Sequence, residues 1–155
     1  GKLVGVSGRA LNSNKLRYLT LKFDDQESLI YGLRNVDYNK RVYVTEGPID
    51  SLFLPNAIAV AGSDFTKLKS IVPTEQAVVV FDNERRNSEL VKKMDQIIED
   101  GFTICLWPKN IVQKDINDMV LNGLSAKIVE DTINNNKFSG LSAKMALSDW
   151  SKVSG

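Results

Sequence analysis

Val42-Tyr43-Val44-Thr45-Glu46-Gly47-Pro48-Ile49-Asp50 is the stretch that decides the fold. Four residues suited to a buried strand run into a carboxylate, and Gly47-Pro48 then turns the chain. A second segment of the same kind, Ala77-Val78-Val79-Val80-Phe81-Asp82-Asn83-Glu84, ends on a pair of acids. In open α/β sheets the ligand site lies beyond the carboxyl ends of such strands. Glu46, Asp82 and Glu84 are therefore expected to converge at one edge. Three carboxylates close together repel one another unless a cation neutralises them, and oxygen ligands without histidine or thiolate favour Mg²⁺ or Mn²⁺. The first reading is a magnesium-dependent domain for phosphate chemistry.

Outward from these two strands, the chain alternates strands with helices. A short helix is expected over Ile49 to Leu54, a strand over Ala57 to Val60 and a helix over Phe65 to Ile71. After the Ala77 strand, a helix from about Asn87 to Glu99 carries Leu90, Val91, Met94, Ile97 and Ile98 on one face, with Gly101 just past its end. Thr103 to Trp107 reads as the fourth strand, closed by Pro108. Alternation of this kind argues for a parallel sheet of about four strands flanked by helices. Ile116 to Leu121 and Ala126 to Ile133 look helical, with Gly123 between them. The segment from Asn134 reads as a loop before a final helix near Leu141 to Leu147. Towards the N-terminus, Leu3 to Leu11 and Leu16 to Leu21 suggest a small antiparallel β subdomain.

Composition narrows the chemistry. The 155 residues can bury one sizeable core. Absence of histidine and a single cysteine rule out zinc sites of the usual kinds and any serine-histidine or cysteine-histidine nucleophile. Cys105, inside an apolar run, reads as a core residue. Lysines, arginines and carboxylates must carry any chemistry. The sequence has no apolar segment of transmembrane length and no signal peptide, so a cytoplasmic location is the default expectation, the host-cell cytoplasm if phage-encoded. An opening at Gly1 without methionine is expected of a domain excised from a longer protein. The net charge of +1 hides an asymmetry: Gly1 to Phe23 holds five cations (Lys2, Arg9, Lys15, Arg17, Lys22) and no acid, whereas Val42 to Asp118 holds 12 acids against 8 cations. A basic flank beside an acidic centre suits an enzyme that handles polyanions, and a solvated basic surface is the plainer reading.

The smaller positions carry two readings each. Gly47 lacks a Cβ, which would let a phosphate or metal approach the backbone. Asp50 is read as a capping or hydrogen-bonding support ahead of a metal ligand. In Lys114-Asp115-Ile116-Asn117-Asp118, Asp115 or Asn117 would cap the following helix, and Asp115 is also placed to complete a second metal site.

Together these motifs resemble the Toprim domain shared by topoisomerases and primases. Its strand-terminal Glu-Gly-x-x-Asp corresponds to Glu46-Gly47-Pro48-Ile49-Asp50, and its Asp-x-Asp to Asp82-Asn83-Glu84, where glutamate replaces the last aspartate. Ala61-Gly62-Ser63 looks like the small-residue turn after the second strand, and Lys114 to Asp118 like the Lys-Asp-x-Asn-acid segment of phage primases. Gly8-Arg9 followed by Leu16-Arg17-Tyr18-Leu19-Thr20 resembles the basic strand region of bacterial DnaG-type primases, with threonine for the usual asparagine. The whole looks most like the small primase subunits of T4-like phages.

The resemblance implies an α/β Toprim-type fold preceded by a small basic antiparallel β subdomain. It divides the chain into that subdomain at 1–41, a catalytic Toprim domain at 42–123 and a C-terminal helical extension at 124–155. It implies the RNA polymerase core of a DNA primase, which makes short RNA primers on single-stranded DNA from ribonucleoside triphosphates. Glu46, Asp82 and Glu84 would be catalytic and would hold Mg²⁺ or Mn²⁺, two ions in all if Asp115 contributes. Arg9, Lys15, Arg17 and Lys22 would hold template or nucleotide, supported at the acidic edge by Gly47, Asp50, Gly62, Lys114 and Asp118. Glu46 has a second reading as the base for the 3′ hydroxyl. Tyr18 and Tyr31 are read as packing residues ahead of base-stacking ones. A hexameric replicative helicase and a separate zinc-binding domain are the implied partners, with no zinc in this chain and no membrane. The stretch after Lys137 is read as a closing helix ahead of a helicase-docking element. Rival readings are a Toprim nuclease using the same acids to cut, and a non-catalytic nucleic-acid-binding module.

Overall fold

A computed structural model describes residues 30–32, 36–60 and 65–152. Among these residues six strands form one sheet: β1 (Ile30–Tyr31), β2 (Val42–Thr45), β3 (Ala57–Val60), β4 (Ala77–Val80), β5 (Thr103–Cys105) and β6 (Lys137–Phe138). Their order is β1-β3-β2-β4-β5-β6. The central four are parallel, as the sequence predicts, and the two-residue strands β1 and β6 pair antiparallel at the edges. From β2 the chain moves to β3 on one side, then crosses back to β4 on the other. The carboxyl ends of β2 and β4 therefore flank a point where the winding reverses, which is where such sheets open a crevice.

Among the described residues, five α-helices cover the sheet: α1 (Pro48–Ser51), α2 (Ser88–Glu99), α3 (Ile116–Leu121), α4 (Ala126–Asn135) and α5 (Gly140–Lys152). A 3-10 helix spans Phe65–Ser70 where a helix over Phe65 to Ile71 is expected, and α1 is one turn that continues in turns to Leu54. Strand alternation sorts the core into two layers. Val42, Val44, Ala77, Val79 and Ile104 face the 3-10 helix, α2 and α5. Tyr43, Val78, Val80 and Cys105 face α3 and α4. Both faces are buried, so the strands read as continuous apolar runs. Cys105 is a core residue whose thiol burial pushes well above its usual pKa.

α2 is capped by Asn87, whose side chain accepts the Leu90 N–H, and buries Leu90, Met94, Ile97 and Ile98. Gly101 follows it at φ +98°, the left-handed conformation that glycine adopts without strain. The predicted loop at Asn134 is a correction: α4 runs on to Asn135. Asn134 donates to the Tyr43 hydroxyl at 2.9 Å and to the Glu130 carbonyl, which fixes that last turn against the sheet. α5 closes the first face with Ala143, Leu147 and Trp150 buried. The basic segment holding Arg9, Lys15, Arg17 and Lys22, together with Tyr18 and Gly62, lies outside the described residues. Among the described residues, no helix is long and apolar enough to cross a membrane.

Candidate active site

β2 and β4 are neighbours with Thr45 opposite Val80, so the residues just beyond them, Glu46 and Asp82, arrive side by side. A Glu46 carboxylate oxygen accepts the Asp82 N–H at 2.8 Å across the crevice. Beyond Glu46, the Thr45 hydroxyl donates to the Gly47 carbonyl at 2.9 Å and curls the chain into α1. Asp50 in α1 is only 7% exposed. Its Oδ1 accepts the Asn117 N–H at 2.8 Å, which ties α1 to the first turn of α3. A Cβ on residue 47 would stand 2.9 Å from Asp50 Oδ2, so the glycine makes room for that carboxylate. Asp115 is the N-cap of α3 and accepts the Asp118 N–H at 2.8 Å. Asp118 in turn accepts from the Lys114 N–H and the Asn122 side chain.

These constraints bring Asp50, Asp82 and Asp115 together, with one oxygen from each lying within 4.8 Å of the others. Among the described residues no ion pair reaches any of the three. Burial, then the neighbouring charges of Glu46, Asp50, Asp115 and Glu84, pushes the Asp82 carboxyl up to about 8. Burial likewise raises Asp50 to about 7, against the pull of the Asn117 N–H, with Asp115 and Glu46 adding to the rise. Glu46 is also raised by burial, opposed by the Asp82 N–H and the positive charge of Lys93. Carboxylates crowded in this way hold protons near neutral pH unless a cation replaces them. The all-oxygen donor set fits a hard divalent ion such as Mg²⁺ or Mn²⁺.

The residues singled out in the sequence thus fall in three places. Glu46, Asp50, Asp82 and Asp115 meet at the crevice. Asp50 combines the expected hydrogen-bonding role with a place among the clustered oxygens, and Asp115 combines capping with the same. Glu84 stands at the rim, 3.9 Å from the Lys114 ammonium. Asp118 supports the α3 turn.

The groups that hold the acidic turn lie outside the signature positions of the sequence motifs. Asn83 donates its side-chain amide to the carbonyls of Ile111 (2.9 Å) and Gln113 (3.1 Å), and its backbone N–H to Lys114 at 2.6 Å. Arg85 donates to the Trp107 carbonyl at 2.8 Å and lies over the Trp150 ring, 5.2 Å from its centroid. Trp107 donates to the Phe81 carbonyl at 2.9 Å, and Trp150 to the Trp107 carbonyl at 3.0 Å. Two tryptophans in a chain of this size, one closing a strand, were the available signal.

No family model matches the chain. Over 156 aligned residues it is 35% identical to the DNA primase of Enterobacteria phage T4, a match that covers 99% of the chain. The chain spans 45% of that relative's length.

Proposed function

We propose, from the premise that the chain is a relative of T4-type DNA primase, that it is the RNA polymerase core of such an enzyme. It joins ribonucleotides on single-stranded DNA by metal-dependent nucleotidyl transfer. One observation carries the reading: the crevice beyond the carboxyl ends of β2 and β4 gathers Glu46, Asp50, Asp82 and Asp115, and among the described residues no ion pair reaches the three clustered aspartates.

Asp50, Asp82 and Asp115 are the residues that would hold Mg²⁺ or Mn²⁺, with Glu46 beside Asp82 and Glu84 at the rim. A divalent ion there would neutralise triphosphate charge and favour loss of the proton from the attacking 3′ hydroxyl. The chain's own residues fix where that happens. The Glu46 hydrogen bond to the Asp82 N–H and the Asn117 hydrogen bond to Asp50 aim two carboxylates from opposite walls. Lys93 and Lys114 bring positive charge near Glu46 and can meet phosphate oxygens arriving from solvent. Arg9, Lys15, Arg17 and Lys22 are the proposed contacts to template and nucleotide, so binding should weaken steeply with salt. A hexameric helicase and a separate zinc-binding domain belong to the same proposal as partners of the full-length protein.

The test is template-dependent ribonucleotide incorporation on single-stranded DNA with Mg²⁺ or Mn²⁺. Incorporation by the parent chain, abolished in Glu46→Gln and Asp82→Asn, is the expected result. DNA cleavage by the parent in place of synthesis would count against the reading.

A further inference from the structure

The turn that carries Asp82 is anchored on both sides by one small cluster. Phe81, immediately before Asp82, gives its carbonyl to the Trp107 indole at 2.9 Å. Arg85, three residues after Asp82, folds back and donates to the Trp107 carbonyl at 2.8 Å. The same carbonyl accepts the Trp150 indole N–H at 3.0 Å, and the Arg85 guanidinium lies over the Trp150 ring. Trp150 belongs to α5, which packs on α2 through Ala143 and Leu147 and is tied to it at the surface by Lys144 between Asp95 and Glu99, 2.7 Å from each. The last helix therefore meets the acidic turn at the Arg85 guanidinium.

We propose that Arg85 and Trp150 are positioning residues, through which helix α5 fixes the Asp82–Glu84 turn in the geometry that binds a divalent cation. This rests on the metal reading of the crevice given above. The two residues touch no reacting atom. They act because ligands must be held within about 0.5 Å of their working positions, and a turn released at Arg85 loses its tie on the far side of Asp82 while keeping those at Phe81, Asp82 and Asn83. Groups that orient metal ligands from behind commonly change metal affinity by about 10- to 100-fold when removed. The coupling runs both ways: a cation that draws Asp82 into place also tightens the cluster. Both of the chain's tryptophans sit in it, so tryptophan emission reports on the cluster directly.

The experiment is a Mn²⁺ titration of the whole chain, with free Mn²⁺ counted by electron paramagnetic resonance and tryptophan emission followed in parallel. Parent protein is expected to bind Mn²⁺ with a saturable emission change at the same midpoint. Arg85→Ala should weaken binding by about 10-fold or more. Arg85→Lys, which keeps a cation near Trp150 without the planar fork, should recover part of that loss. Trp150→Phe should cost about threefold. Lys144→Ala loosens α5 away from the turn and should leave Mn²⁺ affinity unchanged. Parental affinity in Arg85→Ala and Trp150→Phe would overturn the proposal, as would an equal loss in Lys144→Ala, because the effect would then be general loosening. A parent that binds no Mn²⁺ would overturn both this proposal and the metal site. Failure of primer synthesis with Mn²⁺ binding intact would count against the polymerase reading alone.

Discussion

Two groups of acids among the described residues are treated differently by the chain. On the surface between α2 and α5, Asp95 and Glu99 share one ammonium, that of Lys144, at 2.7 Å each. At the sheet edge, Asp50 and Asp115 each accept a backbone N–H, Asp82 is raised by burial and by the charges of its acidic neighbours, and Lys93 and Lys114 act on Glu46 at the margin. The first cluster draws its cation from within the chain. The second is built to be neutralised from outside, which is the physical difference between an ion pair that fastens two helices and a site that takes a cation.

The largest effect that would break this comparison lies at Asp82. Asp82→Asn removes the acid that feels the charges of Glu46, Asp50, Asp115 and Glu84 and should lower metal-dependent incorporation by at least about 100-fold, whereas Lys144→Ala leaves it intact. Rates from single-turnover assays on both variants check this. Next comes Gly47→Ala. The added Cβ meets only the end of the Asp50 side chain, at 2.9 Å, so the carboxylate turns aside and folding stability changes by less than about 1 kcal/mol. Mn²⁺ affinity should nonetheless fall by about 10-fold, since a ligand has moved. Denaturant melts and Mn²⁺ titration on the same sample separate the two.

A third effect is on pH. The native carboxyls of Asp50 and Asp82, near 7 and 8, lie above the value of about 3.9 for an unfolded aspartate. Between those limits the native state keeps protons that the unfolded chain has lost, so stability falls as pH rises. Metal-free protein should therefore melt at progressively lower temperature from about pH 4 to pH 8, and Asp50→Asn should flatten the decline. Mg²⁺ should stabilise strongly at pH 8 and little at pH 5, because protons compete for the same oxygens. Thermal melts with and without Mg²⁺ across that range read both slopes. The smallest effect belongs to the surface pair: Lys144→Ala should cost at most about 1 kcal/mol, less at high salt.

The parallel core was legible because Val42 to Thr45 and Ala77 to Phe81 are buried on both faces, which leaves an unbroken apolar run in the sequence. Strands β1 and β6 left no such mark, since two residues at an edge have no pattern to show. Asn134 and Asn135 read as a loop by type, yet the Tyr43 hydroxyl, 91 residues from Asn134, holds the helix together there. At the site, Glu46 and Asp82 were visible as strand ends. The full place of Asp50 was not, because the Asn117 N–H that aims it lies 67 residues away in the chain. Arg85 looked like one more surface cation in an acidic turn, and only the carbonyl of Trp107 and the ring of Trp150 give it a role.

The most direct test of the account is the position of Mn²⁺ in crystals soaked with the ion, located by its anomalous scattering. A peak within coordination distance of Asp82 and of Asp50 or Asp115, absent in Asp82→Asn, is what the account predicts. A crevice that stays empty at saturating Mn²⁺, or an ion bound only at Asp95 and Glu99, would contradict it.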